Sequence, residues 1–199
     1  RDFEVFAPDL KGFGQNTPMP IAYSLDDYIL EVKEYIEKHC LTCPNVVAHS
    51  FGARIVIKGV ATKQLNFNRL VLTGPAGLKR RASIKRGVKK TTFNLLKHFV
   101  KRDKLKRFYS QEYLSLSPVM KQSFNLIVNE YLDNYLPFIH NQTLIINGSK
   151  DKEVPLYQAK KLNAGIKNST LVVYEGAGHF CFLDKPNKFN MEVKEFLLS

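Results

Sequence analysis

At 199 residues, 44% hydrophobic and 24% charged, the chain is long enough to bury a core and too apolar for an unfolded coil. No apolar run reaches the length needed to span a bilayer, and three cysteines are too few for a disulfide scaffold, so composition favours a soluble protein of the reducing cytoplasm. The net charge of +12 is local: residues 79–107 hold 13 Lys or Arg and one acid, Asp103, whereas the remainder balances 17 basic against 17 acidic residues.

Outside residues 76–140, short β-rich runs alternate with helical patterns, which predicts a mostly parallel sheet flanked by helices. The alternation in Phe3–Ala7 predicts a first strand, left by the loop Asp9-Leu10-Lys11-Gly12-Phe13-Gly14. Ser24 with Asp27 three residues on forms a capping box, and Leu25, Tyr28, Ile29, Val32 and Ile36 follow at helical spacing. Residues 45–48 predict the second strand and residues 51–61 a helix directly after Ser50. The third strand spans 69–73, the fourth 143–147 and the fifth 170–174, with helices near 156–162 and 185–198.

Between the third and fourth strands lies a helical insertion. Ile84, Val88, Thr92, Leu95, Leu96, Phe99 and Val100 make one apolar stripe, with Lys and Arg on the other face. A second helix starts at Ser117 as cap and Pro118 as first helical residue, with Val119, Phe124, Ile127, Val128 and Tyr131 on its buried side. These patterns divide the chain into a core of residues 1–75 and 141–199 around an insertion of residues 76–140.

Three polar residues follow three different strands: Ser50, Asp151 and His179. In a parallel sheet the carboxyl ends of the strands share one edge, so these residues converge there. Serine is a weak nucleophile until a base takes its proton. His179 is placed to be that base, and Asp151 to hold the imidazole in its productive tautomer. His49 adjoins Ser50 at a turn that aims neighbouring side chains apart, and is read as packed or locally hydrogen-bonded. His98 lies in the insertion, His140 precedes a strand, and Asp184 lies five residues past His179. Cys40 and Cys43 form a C-x-x-C without a second ligand pair, and are read as small apolar fillers where helix meets strand; Cys181 is read as a packing residue.

The ordered motifs resemble the α/β-hydrolase fold family. Asp9–Gly14 is similar to its D-x-x-G-x-G loop, Ala48-His49-Ser50-Phe51-Gly52 to its nucleophile elbow, Gly148–Pro155 to the stretch bearing its acid, and Gly176-Ala177-Gly178-His179 to the stretch bearing its histidine. Ala48 stands where the elbow motif has its first glycine. The resemblance implies a serine hydrolase, esterase-like, that cleaves a small acyl substrate through Ser50, Asp151 and His179 and needs no cofactor or metal. It makes the insertion a cap over the site and the Phe51 backbone N–H one oxyanion donor. It also places the second donor, and the family's first strands, ahead of residue 1, so the chain is expected to be N-terminally incomplete. The serine at the elbow excludes chemistry that uses an aspartate nucleophile there. Thioesters, amides and C–C bonds next to a carbonyl stay open beside esters. The basic segment suits a solvated helix face, an acidic substrate or an anionic membrane surface. No recognition motif for nucleic acid accompanies it. A non-catalytic relative whose basic cap binds an anionic partner is the alternative.

Overall fold

The computed structural model describes residues 2–16, 19–81 and 116–199. The helix expected over Ile84 to Val100, His98 and most of the basic segment lie outside these residues. Four strands, β1 (Val46–His49), β2 (Leu70–Thr73), β3 (Thr143–Gly148) and β4 (Ser169–Tyr174), form one sheet in the order β1-β2-β3-β4. Every pairing is parallel, with Ala48 opposite Leu72, Thr73 opposite Ile146 and Gly148 opposite Tyr174. All four carboxyl ends therefore leave the same edge.

Among the described residues the helices are α1 (Leu25–Lys38), α2 (Phe51–Ala61), α3 (Pro118–Asn129), α4 (Leu156–Gly165), the single turn α5 (Cys181–Asp184) and α6 (Pro186–Leu198), with a 3-10 helix at Asp133–Phe138. Their starts are set by local chemistry. The Ser24 hydroxyl accepts from the Asp27 N–H while the Asp27 carboxylate accepts from the Ser24 N–H at 2.7 Å, a complete capping box; the Ser24 hydroxyl also donates to that carboxylate at 2.7 Å, and this bond first, the Ser24 N–H second, holds Asp27 below the usual carboxylate range. Ser117 caps α3 through the Met120 N–H, with Pro118 at the first helical position.

β2 is buried along its whole length because it has cover on both faces. Leu70 and Leu72 face a core shared with α1, α2 and α4. Val71 faces a second core of Ile146, Tyr174, Cys181 and Val193 under α6. That alternation is the two-residue period of a strand, and each fully buried Leu or Val contributes about 1.5–3 kcal/mol over exposure.

α2 is enclosed far more than a surface helix. Residues Ala53 to Gly59 are all buried, Arg54 and Lys58 included. Both charges are met by partners from other elements. Arg54 Nη1 donates to the Ile127 and Glu130 carbonyls at 2.6 and 3.0 Å at the C-terminus of α3, where the Ile127 carbonyl also accepts from the Glu130 N–H at 3.3 Å. Lys58 Nζ bridges Asp26 on α1 and Glu130 after α3, at 2.7 and 2.6 Å. Burial pushes the Lys58 ammonium down, and its two carboxylate partners more than offset that, leaving it raised. The Tyr23 N–H adds a bond to the buried Ser123 hydroxyl at 2.8 Å. Ile127, Leu132, Leu136 and Ile139 complete the packing of residues 117–139 into the first core.

Two expectations are corrected. Residues 3–7 form no strand: Val5 is 81% exposed and the segment has no ladder partner among the described residues. Alternation gives a propensity for extended backbone, but a strand exists only once its N–H and C=O groups are paired. The segment is exposed along its length, with Phe6 5.5 Å from the His39 ring at the end of α1 and the preceding Asp2 paired to Lys194. Cys40 and Cys43 are not core fillers. Both are exposed free thiols at positive φ (52° and 47°) in the turn between α1 and β1. Cys181 does pack, fully buried in the second core, and burial pushes its thiol up to about 11.

Candidate active site

Ser50 stands between the last residue of β1 and the first of α2, at φ 47° and ψ −102°. This region is costly for a residue with a Cβ, and the chain is pinned into it from outside. The Ser50 N–H donates to the Thr73 carbonyl at 3.0 Å and the Ser50 carbonyl accepts from the Ala76 N–H at 3.3 Å. The hydroxyl is not spent on capping α2, and among the described residues it makes no hydrogen bond. The neighbouring Ala48 is buried and meets no obstacle. A Cβ built on Gly52 would lie 3.8 Å from the Ala48 Cβ, an ordinary contact, so the turn accommodates alanine where the motif has glycine. Phe51 occupies the first position of α2, where a helix leaves its N–H without an intrahelical acceptor.

The loops after β3 and β4 bring Asp151 and His179 together. Asp151 Oδ2 accepts from His179 Nδ1 at 2.8 Å, and Oδ1 accepts from the Glu153 and Val154 N–H groups at 2.8 Å each. Burial pushes the carboxyl upward, but the bonds from His179 and Val154 lead a set that outweighs it, and the group is held below its usual range. An ionised carboxylate only accepts, so His179 carries its proton on Nδ1 and keeps Nε2 free to take another. The two loops are laced by backbone: Ser149 N–H to Tyr174, Lys150 N–H to Ala177, and Gly176 N–H to the Ser149 hydroxyl at 2.9 Å. A side chain at Gly148 would overlap the Ala177 and Gly178 carbonyls, which is why this crossing needs glycine. Asp184 is not a rival acid, since its carboxylate accepts from the Gly178 N–H at 2.7 Å and steadies the histidine loop.

The surroundings were only partly foreseen. Gly74, at φ 47°, leaves the space the His179 ring fills; a Cβ there would lie 3.0 Å from its Cε1 and Nδ1. His49 is hydrogen-bonded locally, Nδ1 to Thr73 Oγ1 at 3.0 Å, and its ring centroid lies 4.6 Å from that of His179. Phe13, from the Asp9–Gly14 loop, stacks on Phe51 at 5.7 Å. His140 is exposed at the opposite end of β3. The local bond of His49 and the place of His140 ahead of its strand are as the sequence suggested, whereas the packing of His49 on His179 and of Phe13 on Phe51 carried no sequence signal. Among the described residues no three His, Cys, Asp or Glu side chains gather as a metal-binding group, and no helix is long and apolar enough to cross a membrane. Two concavities, of about 350 Å³ beside α1 and about 640 Å³ along α3, are lined by none of Ser50, Asp151 and His179.

Residues 1–192 match the model of the alpha/beta hydrolase family. The chain belongs to that family. Among its relatives is the AB hydrolase superfamily protein YisY of Bacillus subtilis, 27% identical over 98% of this chain and 82% of that protein. Another is a 2-hydroxy-6-oxo-2,4-heptadienoate hydrolase of Pseudomonas putida, 23% identical over 99% of this chain and 79% of that protein. Of solved structures, the esterase EaEST from Exiguobacterium antarcticum is similar, with a TM-score of 0.72 and 23% identity over 96% of this chain and 80% of that one. The parallel sheet and its flanking helices are thus those of an α/β hydrolase.

Proposed function

We propose that this α/β hydrolase is a serine hydrolase of small acyl substrates, with Ser50 as nucleophile, His179 as general base and Asp151 as the residue that orients it. The observation that carries the reading is the 2.8 Å Asp151–His179 bond at the edge from which Ser50 also emerges, because it frees His179 Nε2 to act. As Ser50 Oγ bonds to the acyl carbon, Nε2 takes the hydroxyl proton. The Phe51 N–H, with the positive end of α2 behind it, faces the charge on the carbonyl oxygen. Collapse breaks the bond to the leaving group, which receives the proton from Nε2. Water then repeats the sequence on the acyl-enzyme, its proton passing through His179 to Ser50 Oγ as the acid departs. Carboxylic esters fit this scheme first. The relative named as a 2-hydroxy-6-oxo-2,4-heptadienoate hydrolase supports including C–C bonds next to a carbonyl. Residues 76–140 serve as the cap over the site in this scheme.

A fluorophosphonate probe and a panel of ester, thioester and amide substrates test the proposal. The native protein is expected to label and turn over at least one class, and Ser50→Ala and His179→Gln to lose both. Equal labelling of native protein and Ser50→Ala would reject the assignment.

A further inference from the structure

We propose that His49 is a positioning residue for His179: its ring, tethered to Thr73, is the wall that keeps the His179 imidazole in line with Asp151. This rests on the reading of His179 as the base. His49 and Thr73 are register partners on β1 and β2, so their side chains share one sheet face and the Nδ1–Oγ1 bond fixes the His49 ring across the top of two strands.

His179 needs such a wall. Its single side-chain bond among the described residues, from Nδ1 to Asp151, is a pivot about which the ring can tilt. Two surfaces close the tilt: the backbone at Gly74 on one side, and the His49 ring at 4.6 Å and 51° on another. Phe180 stands edge-on to His179 at 5.4 Å and also packs on His49 at 5.2 Å, while Phe182 meets the His49 ring at 5.1 Å, so His49 is itself held from behind.

A pure filler would be better served by a hydrocarbon. The His49 Nε2 is buried without a partner among the described residues, and an unmet buried nitrogen costs stability. What the histidine adds is the tether. Burial first, and the neighbouring His179 second, push its imidazole below the ordinary range against the opposing effects of Thr73 and Asp151, which favours the neutral ring. It therefore does not repel the imidazolium that His179 becomes during turnover.

Three variants separate wall from tether. His49→Ala removes the wall, His49→Phe keeps it, and Thr73→Val deletes the tether at constant shape. The readouts are kcat and KM on an ester the native protein turns over, and the low-field proton resonance of the His179–Asp151 bond, which needs no substrate. His49→Ala is expected to lower kcat roughly 100-fold at unchanged KM, as misplacement by about 1 Å does, and to broaden the resonance. His49→Phe should recover kcat to within about tenfold of native and restore the resonance, with Thr73→Val between the two. Should His49→Ala not fold, His49→Gln, which also lacks the ring, replaces it. A native kcat and a sharp resonance in the ringless variant would overturn the proposal, as would a His49→Phe protein as impaired as His49→Ala. If the native protein neither labels nor turns over, the serine-hydrolase reading fails instead, and the resonance still decides the role of His49.

Discussion

Replacing Ser50 by glycine should make the protein more stable while removing its nucleophile. At φ 47° and ψ −102° the Ser50 Cβ crowds the backbone, a conformation that costs of order 1–3 kcal/mol. Glycine has no Cβ, and its backbone energy is the same at mirror-image angles, which here fall at the border of the ordinary extended region. Against that relief stands the extra freedom of glycine in the unfolded chain, about 0.5–1 kcal/mol. The hydroxyl gives up nothing, since it neither caps α2 nor hydrogen-bonds among the described residues. The net gain is roughly 0–2.5 kcal/mol, or a rise in Tm of up to about 10 °C for a chain of this size. Ser50→Ala retains the Cβ and is expected within about 0.5 kcal/mol of native. Urea and thermal unfolding of the three proteins, run beside fluorophosphonate labelling, make the comparison. If Ser50→Gly is less stable than Ser50→Ala, the turn stores no strain relieved by losing a Cβ.

Arg54→Met keeps the buried stem but leaves the Ile127 carbonyl with only the Glu130 N–H and takes the guanidinium from the Glu130 carbonyl; the loss of two charge-assisted bonds, less the burial cost of the guanidinium, should lower stability by about 1–3 kcal/mol in urea unfolding. Asp151 contributes stability above its usual pKa of 3.8, and that contribution is lost as pH falls through its lower folded value. The gap in urea midpoint between native protein and Asp151→Asn should therefore shrink as pH drops below 3.8. Gly148→Ala forces the acid and histidine loops apart, so kcat on an ester the native protein turns over should fall by more than tenfold, roughly, even in protein that folds by circular dichroism.

What the sequence disclosed follows a physical divide. The capping box at Ser24, the Ser117-Pro118 start of α3 and the buried runs of β2 and β3 depend on neighbours within a few residues, and each lies where the pattern put it. Parallel pairing then brought Asp151 to His179 as the order of strand ends required. Features that depend on distant partners were not legible. Arg54 and Lys58 look like the polar face of a surface helix until α3, more than seventy residues away, closes over them. Residues 3–7 have the alternation of a strand but, among the described residues, no pairing to make them one. The bond from Asp184 to Gly178 and the packing of His49 on His179 leave no periodic trace in the chain.

The Arg54 clasp has a bearing on how this scaffold can be redesigned. Ser50 and Arg54 are four residues apart, about one helical turn, so the group proposed to attack substrate and the group that grips α3 ride on the same rigid rod. Grafting a foreign segment between β2 and β3 would thus be transmitted to the nucleophile if it displaced α3. An exchange that retains residues 117–139, with the Ile127 and Glu130 carbonyls still seated on the guanidinium, leaves that rod where it stands. The joints for such an exchange lie upstream of Ser117, not at the ends of the strands.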